Sequence, residues 1–122
     1  MDVLRNLLLV GAGGAAGSCL RYLVSIIVVR SGGSFPWATL AVNLAGSVAL
    51  AWLFRNGATA VSDPTRLLIG MGLLGGFTTY SSFNYEVVDM IRHGHAGQAA
   101  AYLLVTVVVA LGAALYIVEQ PS

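Results

Sequence analysis

Long stretches without charged residues are the feature of this sequence that most limits its fold. Residues 31–54, 67–85 and 93–118 contain no Asp, Glu, Lys or Arg over 24, 19 and 26 residues. Each approaches or exceeds the ~20 residues that a helix needs to cross ~30 Å of hydrocarbon. A fourth stretch, residues 6–29, is interrupted only by Arg21. This is the pattern of a chain that crosses a lipid bilayer four times.

The composition agrees with a membrane location. Only 9% of the 122 residues are charged and 57% are hydrophobic, whereas roughly 25% of the residues of a soluble domain are charged. A soluble chain needs more polar side chains to cover its surface, and a disordered chain needs more charge. The formal net charge of +1 provides no basic surface, which excludes a nucleic-acid partner.

We therefore predict an all-α membrane protein that forms a single transmembrane domain over residues 1–122. Its four transmembrane helices are expected at about 4–29, 37–54, 67–91 and 97–118. The connections over 31–36, 56–64 and 92–95 contain the Gly, Pro, Asn and Asp residues that are typical of turns.

The distribution of arginines allows two interpretations of how the chain is oriented in the membrane. With four spans, Arg5, Arg55 and Arg66 lie on one side of the membrane, and Arg30 and Arg92 lie on the other. A clear excess of Lys and Arg normally marks the cytoplasmic side. One interpretation is a weak bias toward a single orientation. The other is dual topology, in which two opposed copies form a homodimer that resembles the inverted repeats of larger transporters.

The third predicted span contains an unusual polar motif, Gly-Gly-Phe-Thr-Thr-Tyr-Ser-Ser-Phe-Asn, over residues 75–84. Glycine pairs and runs of Ser and Thr are poor helix formers. Non-helical backbone at membrane depth requires protein or a cavity to satisfy its polar groups. We predict a break in the helix near Gly75–Thr79, where freed carbonyl groups are natural ligands for a hard cation.

Further polar side chains at membrane depth are candidate functional residues. Arg21 costs at least ~2.5 kcal/mol at the centre of a span, so it should face the interior of the bundle or water. Because the buried charge is an arginine and the other groups are hydroxyls and an amide, the pattern favours an anion over a cation. The candidates outside the residue 75–84 motif are Arg21, Thr39, Asn43, Glu86, Tyr102 and Thr106.

Three motifs in order resemble the signatures of the Fluc/CrcB fluoride channels. They are Gly-Gly-Ala-Ala-Gly at 13–17 followed by Arg21-Tyr22, then Ala-Thr-Leu-Ala-Val-Asn-Leu-Ala-Gly at 38–46, and Gly-Gly-Phe-Thr-Thr-Tyr-Ser-Ser-Phe at 75–83. Their spacing, the chain length and the number of spans also match, so the resemblance covers nearly the whole chain.

The resemblance implies an antiparallel, dual-topology homodimer with two fluoride pores, each lined by both subunits. It implies a structural Na⁺ at the dimer centre, held by the backbone carbonyls of Gly75 and Thr78. It also implies a passive channel that releases cytoplasmic fluoride across the inner (plasma) membrane of a microbial cell, because neutral HF enters and ionises inside. The residues that match the family's pore positions are Arg21, Asn43, Tyr80, Ser81, Ser82, Phe83, Tyr102 and Thr106. We add Thr39 and Glu86, which are polar and close to these positions.

Two positions depart from the family pattern. The first of the paired pore phenylalanines is Tyr80 in this chain. The edge of an aromatic ring carries partial positive charge and can contact an anion. The tyrosine keeps that edge but adds a hydroxyl, so the sequence leaves open whether Tyr80 contacts fluoride directly. A smaller departure is Ala38, where the family commonly has Gly.

Two alternative functions remain open at this stage. A small multidrug exporter has the same size, but its proton-coupled chemistry needs a carboxylate in the first span, where this chain has Arg21. A non-transporting accessory membrane subunit would leave the polar third span unexplained. An enzyme is not expected, because no Ser/His/Asp set, metal-ligand spacing or phosphate-binding loop occurs in the sequence.

Overall fold

The computed structural model describes residues 2–31, 35–55 and 62–121, and within these ranges the regular elements are helices. The elements are α1 (Val3–Ser31), α2 (Trp37–Phe54), α3 (Asp63–Thr65), a π-helix (Arg66–Leu74), α4 (Gly75–Phe77), α5 (Ser81–Arg92) and α6 (Ala96–Glu119). The third span consists of the short elements from α3 to α5.

The predicted all-helical fold is confirmed. Three helices are long and apolar enough to cross a membrane, over Val3–Val28, Trp37–Phe54 and Ala96–Glu119. The third span reaches a comparable length only when its pieces are taken together. The predicted connections over 31–36 and 56–64 lie partly outside the described residues. The predicted turn at 92–95 is present, and Gly94 adopts a φ of +82° there, which glycine tolerates without strain.

The third span begins with a capped turn and continues in π-helical register. The Ser62 hydroxyl accepts a hydrogen bond from the Thr65 N–H (3.4 Å), and Pro64 lies in the first turn. At the other end of the π-helix, the Gly75 N–H donates to the Gly70 carbonyl, five residues earlier. Such wide turns often occur at functional sites.

Helix α1 packs closely against the first half of the third span through glycines. A Cβ added at Gly13 or at Gly17 would overlap the carbonyl oxygens of Leu68 or Leu73, respectively. A Cβ at Gly76 would lie 2.6 Å from the Gly14 carbonyl oxygen. Because these contacts advance in the same direction along both segments, the two run parallel. These glycines therefore allow the two backbones to approach closely.

The second half of the third span packs on α2 and α6. The buried cluster there consists of Leu40 of α2, Met90 of α5, and Ala99 and Tyr102 of α6. Tyr102 has no exposed surface, although much of α6 is exposed. Exposed valines and leucines, such as Leu104 and Val108, are expected where a helix faces lipid or another subunit.

Candidate functional site

The helical order of the third span is interrupted over Thr78–Tyr80, between α4 and α5. Thr78 is extended, with φ −87° and ψ 160°. The sequence predicted the break near Gly75–Thr79, and the observed break overlaps the end of that range. Gly75 and Gly76, however, are helical. The interruption begins at the first threonine rather than at the glycine pair, of which Gly76 packs against Gly14 of α1.

Asn43 of α2 supports the interrupted backbone through both ends of its amide group. Its Nδ2 donates to the Thr79 carbonyl (2.9 Å), and its Oδ1 accepts from the Thr79 N–H (2.8 Å). A peptide group outside a helix needs such partners when it lies at membrane depth. The amide side chain therefore provides one donor and one acceptor in place of the missing helical hydrogen bonds.

The same arrangement leaves two carbonyl groups without their helical donors. The Thr79 N–H, which would pair with the Gly75 carbonyl in an α-helix, donates to Asn43 instead. The Ser82 N–H, which would pair with the Thr78 carbonyl, donates to the Thr79 hydroxyl oxygen (3.2 Å). The diverted donors thus belong to the two carbonyls that the resemblance assigned to a cation.

Hydroxyl groups around the break also form hydrogen bonds to the backbone. The Thr78 hydroxyl donates to the Leu74 carbonyl one turn earlier (2.9 Å), a common arrangement for threonine in membrane helices. The methyl group of Thr78 fills the space where a Cβ on Gly46 would lie. Gly46, a residue of the second motif, lies three residues after Asn43, a spacing that places both on one face of α2.

Arg21 reaches the third span from the side of α1. Its Nε donates to the Gly76 carbonyl (3.2 Å), and the side chain is half-buried. Of the two environments expected for this arginine, the interior of the bundle or water, this contact corresponds to the first. It lies on the glycine-packed side of the span and stabilises a carbonyl just before the break.

Aromatic rings form a row across the second half of the third span. The ring centroids of Tyr80 and Phe83 are 6.1 Å apart, and those of Phe83 and Tyr102 are 5.0 Å apart in an edge-on arrangement. Phe35 continues the row at 5.3 Å from Tyr102. Tyr80 is 68% exposed at one end of the row.

Glu86 connects three helices. Its Oε2 accepts a hydrogen bond from the Thr39 hydroxyl of α2 (3.0 Å), and its Oε1 accepts one from the Tyr102 hydroxyl of α6 (3.0 Å). The candidate residues Thr39, Glu86 and Tyr102 therefore form one hydrogen-bonded group. Hydrogen bonds to a carboxylate are stronger than those between neutral groups, so this group fixes α5 between α2 and α6.

An open groove of about 460 Å³ brings several candidate residues together. The side chain of Thr106 lines it, and its Oγ1 is buried without a hydrogen-bond partner among the described residues. A buried hydroxyl without a partner is costly, so this oxygen is a natural contact for a bound ion or water. The lining residues include Asn43, Gly46, Ser47, Gly75, Thr78, Thr79, Tyr80, Phe83 and Thr106.

Ser81 and Ser82 lie in a neighbouring groove together with Glu86. The Ser81 hydroxyl is 3.3 Å from that of Thr79, so the two grooves meet at the break. The candidate residues are thus divided between these two grooves and the hydrogen-bonded group around Glu86, while Arg21 lies apart and donates to the Gly76 carbonyl. Ser47, which sequence analysis missed, lines the first groove four residues after Asn43.

Comparisons with known proteins give a consistent result. The family model described as CrcB-like protein, Camphor Resistance (CrcB), matches residues 8–118. The chain is 49% identical over 112 residues to a protein of Anaeromyxobacter sp. (strain K), and the match covers 89% of each chain. It is 47% identical over 103 residues to a protein of Chlorobaculum tepidum, covering 83% of this chain and 82% of the relative. Both relatives are named fluoride-specific ion channel FluC.

Proposed function

The chain belongs to the CrcB family, and we propose from that membership that it is a fluoride-specific ion channel of the plasma membrane. The match over residues 8–118 carries this conclusion, because it includes all three motifs and every candidate residue. The earlier expectation that the chain is not an enzyme agrees with the naming of the relatives as channels. Family membership also favours the channel over a multidrug exporter or an accessory subunit.

The chemistry of the groove beside the break suits a small, strongly hydrated anion. Removing water from fluoride is costly unless hydrogen-bond donors replace the hydration shell. The Thr106 hydroxyl has no partner among the described residues, and the Asn43 amide has a second N–H besides the one that it donates to Thr79. The edges of the Phe83 and Tyr80 rings add weakly positive surface.

The functional unit in this proposal is an antiparallel homodimer. Four spans are too few to enclose a polar path, and Tyr80, which is 68% exposed, lies at the open side of the groove. A second copy with the opposite orientation would cover that side. The nearly equal distribution of arginines between the two membrane sides supports the opposed arrangement.

The residues at the break fit a structural sodium ion. Carbonyl oxygens are ligands for hard cations, and the helical donors to the Gly75 and Thr78 carbonyls are diverted to side chains. These two carbonyls would hold Na⁺, which would supply positive charge at the centre of the dimer. Removal of Na⁺ should therefore lower the thermal stability of the protein. Differential scanning fluorimetry in sodium chloride and in N-methylglucamine chloride measures this effect, and equal midpoints would contradict the sodium proposal alone.

The direction of transport follows from the chemistry of fluoride. Neutral HF crosses the bilayer and ionises in the less acidic cytoplasm, where fluoride accumulates. A passive channel then lets the anion leave the cell down its gradient.

Liposomes test the proposed activity directly. Vesicles loaded with potassium fluoride or potassium chloride release the permeant anion when valinomycin provides a path for potassium, and an ion-selective electrode records the release. We expect release of fluoride and retention of chloride, with protein-free vesicles as the control for leakage. Equal release of both anions, or none from a folded dimer, would refute the channel.

A separate experiment tests the opposed orientation. Gly94→Cys in a Cys19→Ser background places one reactive thiol in the turn between α5 and α6. Dual topology predicts that a membrane-impermeant maleimide labels about half of the copies on intact cells. Labelling of all copies or of none would contradict dual topology without affecting the fluoride assay.

A further inference from the structure

A second groove, of about 570 Å³, lies at the end of the bundle where α1 and the third span begin and α2 ends. This interfacial groove is lined by Arg5 and Asn6 of α1, Phe54 of α2, and Arg66, Leu67 and Met71 of the π-helix. None of these residues belongs to the site around the break. The volume is in the range of pockets that bind small molecules.

The polar and apolar residues of the interfacial groove are separated along the direction of the helix axes. Arg5 and Arg66 lie near the starts of their segments, whereas Met71 lies five residues deeper along the π-helix. Met71 is 65% exposed, so an apolar wall faces the hydrocarbon below a cationic rim. This polarity matches a phospholipid, whose phosphate lies at the interface and whose acyl chains extend into the bilayer.

Both arginines are available to an anion. The Arg5 guanidinium donates to the neutral Asn6 side chain (3.4 Å). The Arg66 guanidinium lies 5.1 Å from the centroid of the Phe54 ring. In the part of the chain that the structure describes, neither forms a salt bridge. Guanidinium groups bind phosphate oxygens in bidentate geometry.

The charge of the interfacial groove selects among phospholipids. Asp63 also lines it, so two arginines and one aspartate give a net charge of +1. A headgroup with a net charge of −1 complements this value, whereas a zwitterionic headgroup does not. Basic pockets between transmembrane helices are known sites for anionic headgroups.

We propose that the interfacial groove binds one anionic phospholipid, with its phosphate between Arg5 and Arg66 and an acyl chain along Phe54, Leu67 and Met71. The site is independent of fluoride conduction, since it rests on residues at the end of the bundle. It gives α1 and the third span a shared ligand at their common end.

Native mass spectrometry and thermal unfolding test this proposal on the full chain in detergent micelles. Dioleoylphosphatidylglycerol should remain bound and raise the unfolding midpoint, and dioleoylphosphatidylcholine should do neither. The variants Arg5→Gln and Arg66→Gln should each weaken phosphatidylglycerol binding about fivefold, since an arginine near an anionic lipid contributes ~1 kcal/mol. The matched control is Arg55→Gln, which removes an arginine at the same end of the bundle but outside the groove and should bind normally.

A variant of the apolar wall and a free anion provide two further tests of the lipid site. Met71→Trp should fill the apolar wall and reduce lipid retention without removing charge. Inorganic phosphate at millimolar concentration should not stabilise the protein, because it lacks an acyl chain. Equal binding of the two lipids, equal loss in Arg55→Gln, unchanged retention in Met71→Trp, or stabilisation by phosphate alone would overturn the lipid site.

Discussion

The amide of Asn43 and the peptide groups of Thr79 exchange two hydrogen bonds, at 2.9 and 2.8 Å, across the interface between α2 and the third span. This exchange satisfies the backbone at the break and keeps the Thr79 N–H away from the Gly75 carbonyl. The same side chain lines the groove that we assign to fluoride. Asn43 therefore links the proposed ion path to the proposed sodium site.

Asn43→Asp should abolish fluoride efflux and destabilise the protein. A carboxylate accepts from the Thr79 N–H but cannot donate to its carbonyl, which leaves a buried acceptor at a cost of ~1–3 kcal/mol, and its negative charge repels an anion. Efflux from liposomes and the unfolding midpoint measure the two effects.

Asn43→Ala should raise the sodium concentration needed for half-maximal stabilisation, since the Thr79 N–H can then pair with the Gly75 carbonyl. An unchanged sodium dependence would separate Asn43 from the cation site.

Phe83→Ile should stop fluoride efflux while the dimer persists. The substitution keeps an apolar side chain but removes the ring that packs 5.0 Å from Tyr102 and lines the groove. The control is Tyr116→Ile, which removes an exposed ring on α6 and should conduct normally. Size-exclusion chromatography checks the dimer, and undiminished efflux from Phe83→Ile would remove that ring from the path.

Tyr80→Phe should leave fluoride efflux close to that of the unmodified protein, whereas Tyr80→Ile should reduce it strongly. The ring edge is retained in the first variant and lost in the second. Tyr80 is 68% exposed in the single chain, so loss of its hydroxyl leaves no buried partner unsatisfied among the residues that the structure describes. Electrode recordings of the two variants compare the rates. Loss of efflux in Tyr80→Phe would show that the hydroxyl itself contacts the ion.

Tyr102→Phe should destabilise the protein by ~1–3 kcal/mol, because a hydrogen bond to a carboxylate is lost inside the bundle. A double-mutant cycle with Glu86→Gln measures the coupling between these residues through unfolding in denaturant. We expect the two substitutions to be non-additive, since the hydroxyl and Oε1 are 3.0 Å apart. The control is Asp89→Asn, in the same helix as Glu86. Its effect on the free energy of unfolding should be additive with that of Tyr102→Phe.

Gly13→Ala should destabilise the protein by ~1–3 kcal/mol or more through overpacking, because its Cβ would overlap the Leu68 carbonyl oxygen. The matched control is Gly11→Ala in the same helix, where a Cβ meets nothing within 4 Å. Alanine favours the helix at that position by ~0.5–1 kcal/mol. The two variants should therefore shift the unfolding midpoint in opposite directions, and a similar shift in both would contradict close packing at Gly13.

Much of the architecture could be predicted from the sequence because the bilayer constrains it strongly. The bounds of the second helix, 37–54, agree with the observed α2, since a proline precedes it and its apolar run is short. The position of Arg21 against the third span agrees with one of the two environments expected for it, the interior of the bundle. In each case the cost of exposing a polar group to lipid leaves few alternatives.

Other features depend on packing between helices and were not accessible from the sequence. The π-helical register over Arg66–Leu74 produces no recognisable pattern in an apolar segment. Hydropathy is the same whether the hydrogen bonds span four or five residues. The pairing of Asn43 with Thr79 requires the register of α2 against the third span. The same holds for the hydroxyl contacts at the break, where the Thr78 hydroxyl donates to the Leu74 carbonyl and the Thr79 hydroxyl oxygen accepts from the Ser82 N–H.

The break at residues 78–80 divides the third span between two groups of neighbours. The π-helix and α4 pack mainly against α1 through glycines, whereas α5 is hydrogen-bonded to α2 and α6 through Glu86. Because residues 78–80 are not helical, a shift between these two parts would disturb the fewest helical hydrogen bonds there. The two hydrogen bonds between Asn43 and Thr79 restrain that connection.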